Sequence, residues 1–408
     1  MAGRKLWAEK AEAFRFINNK EVGFMRIAVF GGSFDPVHTE HIRLTQAAIE
    51  ELGLDKLFVM PAHAPPHKPG KELSSDEDRL QMCRLAFADC PKVEVSDYEI
   101  LQGGTSFTYL TCRHFKELYP DAEIFWIVGT DMLRDFPTWR NPEDILKNVT
   151  LAVCGRAEEE DWWEEEQRAF TQRFGVEFRR FSYNGAAVSS TKIRVLAGAG
   201  MRLTPYVSEN VEKYIQDNSL FKVAGADEAL RLETPQRQAH SLRVAELAAS
   251  RAVALKFSEK KAIAAALFHD CAKYLDKNSP YLDGFVAPTE WGEIPREVYH
   301  QFAGAFVAEK HFGVTDEDVL NAIRYHTSAR PNMSELEKLI FLADMLEEAR
   351  SYEGVDKLRG LFFKGKGLDE CLTEALRETL LFLQQKGGEI YPLTSEAYAF
   401  YAKLQTEN

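Results

Sequence analysis

The hydrophobic period of this chain changes once along its length, and that change constrains the fold more than any other feature. From Arg26 to about Phe221 short apolar runs alternate with amphipathic stretches: RIAVF, a helical stretch from Ile42 to Leu52, KLFVM, a helical stretch from Asp76 to Ala88, KVEVS, and later EIFWIV and VTLAVC. Strands of about five residues alternating with helices predict βαβ units in a doubly wound parallel (Rossmann-like) sheet, with ligands at the carboxyl ends of the strands. FKVAGADEALRL then reads as a short connection. From Thr234 onward the pattern is almost continuously helical, as in SLRVAELAASRAVALKF, KAIAAALFHDCAKYL, DEDVLNAIRYH and ELEKLIFLADMLEEAR. Apolar residues there recur at three-and-four spacing with much alanine, which predicts an all-α domain. The expected division is residues 1–24 as an N-terminal extension, 25–222 as the α/β domain and 223–408 as the helical domain.

Charge and cysteine usage narrow the function classes. Fifty Lys and Arg stand against 63 Asp and Glu, a formal charge of -13, which argues against coating of nucleic acid by phosphate neutralisation and leaves room for local basic pockets that hold single nucleotides. The cysteines, at 83, 90, 112, 154, 271 and 371, form no CxxC pair, which suits a reducing compartment. No run approaches the ~18 apolar residues of a membrane helix. The expected location is cytoplasmic, without a membrane or nucleic-acid partner, and assembly into a homo-oligomer stays open. The one biased segment, EEEDWWEEE (158–166), reads as a solvated helix face whose Trp162 and Trp163 hint at a contact surface.

Directly after RIAVF the chain reads GGSFDPVHTEHI, from Gly31 on, and enters a helix. Gly31 and Gly32 allow a tight turn, and the amides at a helix start make an anion site. His38 and His41, three residues apart, fall on one face of the first turn and suit a phosphate in flight. Near the end of the α/β region, VSSTKIR (188–194) places Ser189, Ser190 and Thr191 at another helix start, with Arg194 one turn on. Hydroxyls, free amides and a guanidinium there make a second phosphate cradle.

Together and in this order, the two resemble the nucleotidyltransferase superfamily, whose signature is a GxFDPxHxGH turn followed by a late SSTxIR helix start. Intervening motifs look like nicotinate-mononucleotide adenylyltransferase: PPHK (Pro65, Pro66, His67, Lys68), SFT (Ser106, Phe107, Thr108), and GTD (Gly129, Thr130, Asp131) with Trp139 and Arg140 downstream. The resemblance implies in-line attack by a pyridine nucleotide's phosphate on the α-phosphorus of MgATP, releasing pyrophosphate. In it His38 and His41 stabilise the transferring phosphoryl group, and Gly32, Ser33, Phe34 and Lys68 line the nucleotide site. Ser190, Thr191 and Arg194 hold the β- and γ-phosphates, Asp131 meets the adenosine, and Thr108, Trp139 and Arg140 take the pyridine nucleotide. Two departures stand out. Glu40 replaces the glycine between the histidines and would repel ATP unless it points away, and Leu110 stands where the family often has Asp.

In the helical half, His240, His269-Asp270, His300, His326 and Asp344 sit singly on separate apolar helices. Imidazoles and carboxylates so placed converge only in a bundle core, where a cation resolves the cost of their burial. Adjacent His269 and Asp270 on a helix would approach one ion from directions about 100° apart. Cys271 reads as packing, Lys273 as a phosphate contact one turn after Asp270, and Lys338 and Arg350 as lesser candidates of the same kind. The set resembles the HD-domain metal phosphohydrolases, and with His300, His326, HDCAK and YHTSARPNMSELEKLIFLADMLEEAR it is similar to the YqeK family of symmetric diadenosine tetraphosphate hydrolases. That resemblance implies metal-assisted attack of water on phosphorus, with one or two transition metals. Nitrogen and oxygen ligands without thiolate suit iron or manganese. The whole chain therefore reads as a bifunctional enzyme on ATP, nicotinate mononucleotide and diadenosine tetraphosphate. The alternative keeps the transferase and makes the helical half a metal-containing, nucleotide-sensing regulatory module.

Overall fold

The computed structural model describes residues 24–65, 72–155, 160–365 and 367–407; residues 1–23 of the expected extension, and Lys68, lie outside them. Six strands, Arg26–Gly32 (β1), Lys56–Pro61 (β2), Val93–Val95 (β3), Glu123–Gly129 (β4), Thr150–Gly155 (β5) and Arg179–Ser182 (β6), form one sheet in the order β3-β2-β1-β4-β5-β6. Every pairing is parallel, with Ala28 opposite Leu57 on one side and Phe125 on the other. β1 and β4 lie centrally and are covered on both faces, which is why RIAVF and EIFWIV read as continuous apolar runs rather than alternations. β6 escaped the sequence reading because it is a charged edge strand in which only Phe181 is deeply buried.

Among the described residues of this part of the chain nine α-helices accompany the sheet: Thr39–Glu51 (α1), Asp76–Ala86 (α2), Tyr98–Gln102 (α3), Thr108–Leu118 (α4), Thr130–Asp135 (α5), Pro142–Asn148 (α6), Glu160–Phe174 (α7), Ser190–Gly198 (α8) and Glu209–Asp217 (α9). α7 carries the acidic run. Its Glu164 and Glu165 are exposed as expected, but Trp163 is buried with Phe170 and Phe178, so the tandem tryptophans supply core rather than a free contact surface. A β-carbon at Gly155 would lie 2.1 Å from the Trp163 ring, so only glycine permits that packing.

The remainder is helical: Ala226–Leu230 (α10), Pro235–Leu255 (α11), Glu259–Phe268 (α12), Arg296–Phe312 (α13), Glu317–Arg324 (α14), Glu335–Leu346 (α15), Val355–Lys364 (α16), Asp369–Lys386 (α17) and Pro392–Glu407 (α18). The presumed connection after Phe221 thus contains the short helix α10. Ala245, Ala248, Ala249 and Ala252 of α11 share one core with Ala262, Ala265 and Ala266 of α12. Such small residues let two helix backbones approach closely, and larger Leu, Ile and Phe side chains of α15 fill the space beyond.

The chain sorts into two compact units without a single cut. The first takes in the chain to Ser190, apart from Gly70–Glu72, together with Thr204–Asp217; the second takes in Gly70–Glu72, Thr191–Leu203 and the chain from Asn218 on. Helix α8 therefore starts in one unit and continues in the other. Among the described residues no helix is long and apolar enough to cross a membrane.

Candidate functional site

In the first unit the strand order reverses between β1 and β4, and the crevice beyond that reversal is where a doubly wound sheet binds its ligand. The turn from Gly31 to His41 leaves β1 there, and Thr130-Asp131 opens α5 at the end of β4. Phe34 takes a positive φ of 48° and is buried; its ring lies so close to Gly32 that a β-carbon there would be 3.0 Å away. Its contribution is thus to pack beneath the turn, edge-on to His41 at 5.0 Å.

His38 and His41 stack with ring centroids 3.6 Å apart. The His38 N–H donates to His41 Nδ1 at 3.1 Å, so the neutral His41 carries its proton on Nε2 and can offer it to an anion. Burial pushes His38 down to about 4, against the pull of Glu40. Burial and the neighbouring His38 hold His41 well below the ordinary imidazole range. Both rings are therefore neutral at pH 7 and act as dipoles and hydrogen-bond donors. An arriving polyanion would raise their proton affinity.

A residue outside every motif braces this turn. Arg79 of α2 is fully buried and donates to Ser33 O at 3.0 Å, Ala62 O at 2.7 Å and Ser74 O at 3.1 Å, and it pairs with Asp76, which also meets His63 Nδ1. A lone Arg on an amphipathic helix gives no sequence signal of such a role. Ser106 Oγ accepts from the His63 N–H at 3.0 Å, linking the loop after β2 to the start of α4, where Thr108 is half-buried. Asp131 and Arg140 are exposed, the latter with its guanidinium 4.6 Å from the Phe107 ring centre, whereas Trp139 is buried against Phe136.

Ser190 reaches the β1 turn, its Oγ donating to Pro36 O at 3.0 Å. Thr191 and Arg194 sort with the second unit. There the buried Arg194 donates to Thr191 Oγ1 at 2.9 Å and is clasped by Glu259 of α12, with Nε at 3.1 Å. The sequence reading treated Arg194 as a cation open to phosphate; the structure gives it a carboxylate partner that the sequence, 65 residues distant, could not announce.

The helical unit gathers all six expected ligands. His240 Nε2 lies 2.8 Å from Asp344 Oδ1, and Asp270 faces three imidazoles: His269 at 3.4 Å from Oδ2, His300 at 3.1 Å and His326 at 3.5 Å from Oδ1. Three overlapping triads, His240-His269-Asp270, His269-His326-Asp344 and Asp270-His300-His326, each bring their ligand atoms within 4.8 Å. The outer nitrogens are spoken for: Nδ1 of His269 meets Ala266 O at 2.6 Å, that of His326 meets Ile323 O at 2.8 Å, and that of His240 meets Glu347 at 3.0 Å. Each contact turns Nε2 inward, the arrangement that orients imidazole toward a metal. Glu347 in turn accepts from Arg243 at 2.6 Å and from the Ala349 N–H at 2.8 Å. The residues fit a divalent cation, because both Asp270 oxygens and the Nε2 atoms of His240 and His269 are buried without a hydrogen-bond partner of normal geometry.

One local expectation needs correcting. α12 ends at Phe268, so His269 and Asp270 stand in tight turns stabilised by bonds such as Cys271 N to Phe268 O at 3.1 Å, not on a continuing helix. Lys273 nevertheless arrives, 3.4 Å from Asp270 and 3.0 Å from His300. Cys271 is buried as read. Lys338 is elsewhere, bonded to Glu335 and Asp369 at 2.6 Å, while Arg350 meets Asp344 at 2.6 Å. Sequence reasoning missed Arg237, which lies 2.9 Å from Asp270 Oδ2 and one turn before His240; the spacing Arg-x-x-His on α11 was its signal.

Comparison with known proteins parallels this division. Residues 29–196 match the cytidylyltransferase-like family and residues 237–349 the HD domain. A Mycoplasma pneumoniae protein named probable nicotinate-nucleotide adenylyltransferase/Ap4A hydrolase is 30% identical over 337 residues, which span 80% of this chain and 89% of the relative. A Thermotoga maritima protein named probable nicotinate-nucleotide adenylyltransferase is 38% identical over 191 residues, 47% of this chain and 91% of the relative. A solved structure from Clostridium acetobutylicum, described as a predicted HD superfamily hydrolase involved in NAD metabolism, aligns with a TM-score of 0.41 at 34% identity over 44% of this chain and 95% of that one.

Proposed function

We propose that this chain, which belongs to the family of fused nicotinate-nucleotide adenylyltransferase/Ap4A hydrolases, transfers an adenylyl group from MgATP to nicotinate mononucleotide and separately hydrolyses diadenosine tetraphosphate to two ADP. In the first reaction a phosphate oxygen of the mononucleotide attacks the α-phosphorus and pyrophosphate leaves with the bonding electrons. No group of the protein needs to become covalently attached, so its part is alignment and charge stabilisation. The amides of the β1 turn and the Nε2–H of His41 supply donors to the α-phosphoryl oxygens, and His38 adds a second imidazole beside them. Lys68 and Ser190 are assigned to the outer phosphates, Asp131 to the adenosine, and Thr108, Trp139 and Arg140 to the pyridine nucleotide. Simultaneous His38→Ala and His41→Ala substitution should abolish nicotinate-mononucleotide-dependent pyrophosphate release; unaltered release overturns this half.

For the second reaction the carrying observation is that the two oxygens of Asp270 face different imidazoles, Oδ2 toward His269 and Oδ1 toward His300 and His326. A carboxylate so shared, with His240, His269, His300, His326 and Asp344 in overlapping triads around it, would let these residues hold one or two divalent cations. Iron or manganese fits these donors best. Once bound, such ions supply Lewis-acid activation of water and of phosphoryl oxygens. Lys273, Arg237 and Arg350, each against a ligand carboxylate, are placed to take up negative charge from the substrate's phosphates. Elemental analysis of the unchelated chain should find about two transition-metal ions, and the nucleotide products should be ADP alone. ATP plus AMP, or binding without turnover, overturns the hydrolase assignment, the latter in favour of a sensing module. The unpaired cysteines agree with a reducing, cytoplasmic setting for both reactions.

A further inference from the structure

Glu40 is the residue at which the β1 turn departs from its family pattern, and its surroundings reverse what the sequence suggests about it. It occupies the first turn of α1, where a negative charge is favoured by the helix dipole, yet its carboxylate does not face the crevice as a free charge. It is buried, at 7% exposure. Oε2 accepts from the Tyr183 hydroxyl at 2.6 Å and from the Ala186 N–H at 2.7 Å, while Oε1 accepts from Arg43 at 2.7 Å. Burial favours its protonated form, but these three contacts outweigh burial and hold the carboxyl below its usual range.

Tyr183 and Ala186 belong to the loop between β6 and α8, which delivers Ser190. That loop is built around the carboxylate: a β-carbon at Gly185 would fall 2.7 Å from the Tyr183 ring and 2.9 Å from Glu40 Oε2. The end of β6 is tied to the same helix, the Ser182 N–H donating to Glu51 at 3.0 Å. Ser190 itself closes onto Pro36 O. Two stretches 143 residues apart, each presenting a helix start suited to phosphate, are thus joined through one acidic side chain.

Resting on the reading of the first unit as an adenylyltransferase, we propose that Glu40 is a positioning residue for the transfer: it fixes the 183–189 loop and so sets Ser190 against the β1 turn for the ATP phosphates. A Glu that merely replaced glycine by drift would instead repel ATP, and removing it would improve binding.

The two readings predict opposite results for Glu40→Gly, which restores the family residue. In the full chain, Glu40→Gly, Glu40→Ala and Tyr183→Phe should each raise the KM for ATP about tenfold, as loss of a charged hydrogen bond implies, with kcat and the KM for nicotinate mononucleotide nearly unchanged. Glu40→Ala controls for the poor helix propensity of glycine, and Tyr183→Phe keeps the ring's packing. The double variant Glu40→Ala/Tyr183→Phe should be no worse than the worse single one, because both cut the same link. An unchanged or lowered KM for ATP, a uniform loss in all three constants, or multiplicative effects in the double variant overturns the proposal. Absence of transfer by the unmodified chain overturns instead the reading of the first unit. Calorimetric MgATP affinities of the same variants then decide the role of Glu40: weakening upholds it, and unchanged or tighter binding refutes it.

Discussion

At the sheet's reversal point the proposed anion site is made of backbone amides and two uncharged imidazoles on one continuous turn, whereas the helical unit's proposed site is made almost wholly of side chains contributed by separate segments. Desolvation acts on both and lowers His300 and His326 as it lowers His38 and His41, but at one imidazole of the helical site the outcome is reversed. It strips His38 to about 4 because few charges oppose it. At His269 burial also disfavours the cation, yet Asp270 and Asp344 overcome it and lift the imidazole to about 9. A turn of amides tolerates neutral partners, since its ligand brings the charge. A cluster with Asp270 and Asp344 at its centre calls for positive charge whether or not substrate is present.

The sharpest break of this comparison is Asp270→Asn. It removes the carboxylate common to two triads, and bound metal and diadenosine tetraphosphate hydrolysis should fall below ~1% of the unmodified chain, since losses one layer further out already cost 10–100-fold. Adenylyl transfer by the same sample should be retained; joint loss would erase the distinction between the two sites. Next is His41→Ala. Removing one preorganised donor should lower the transfer kcat by ~10²–10³, while the backbone amides keep some activity, and steady-state pyrophosphate release measures it. Glu347→Ala sharpens the contrast from outside the ligand set. Freeing His240 Nδ1 should weaken metal binding by roughly 10–100-fold, read from competition with a chelator, with transfer unaffected.

The smallest effect separates the titrations. The folded pKa of His38 lies below the ordinary 6.5, so from pH 6.5 down to about 4 the unfolded chain takes up a proton that the folded chain refuses. Stability is therefore lost as pH falls through that window, by about 2 kcal/mol at pH 5 for this residue. His38→Asn, which keeps a good helix N-cap, should reduce the drop in melting temperature between pH 7.5 and 5. Parallel curves for the two chains would refute this assignment.

Contiguity explains what could be read beforehand. RIAVF, GGSFDPVHTEHI and its helix carry their structure in local order, so the strand, the turn and the facing histidines followed from spacing alone. The six scattered residues of the proposed metal site were legible for another reason, since polar residues inside apolar helices need a shared explanation. Arg79 and Glu347 were not legible, because a charged residue on an amphipathic helix usually faces water and only packing shows that these do not. Glu40 was noticed, but its direction was not available from spacing; Tyr183 and Ala186 had first to be brought to it.

The sequence by itself determined the change from βαβ alternation to helices, the turn that carries the two facing histidines and which polar residues meet inside the helical unit, since each rests on hydrophobic period or on residue types whose burial has few solutions. Only the tertiary structure decided that Asp270 faces imidazoles with both oxygens, that Arg194 is clasped by Glu259, and that Glu40 turns toward a loop instead of a phosphate. Those outcomes are balances between desolvation and a few hydrogen bonds across long chain separations. Their sign depends on distances of a few ångströms that local order does not encode.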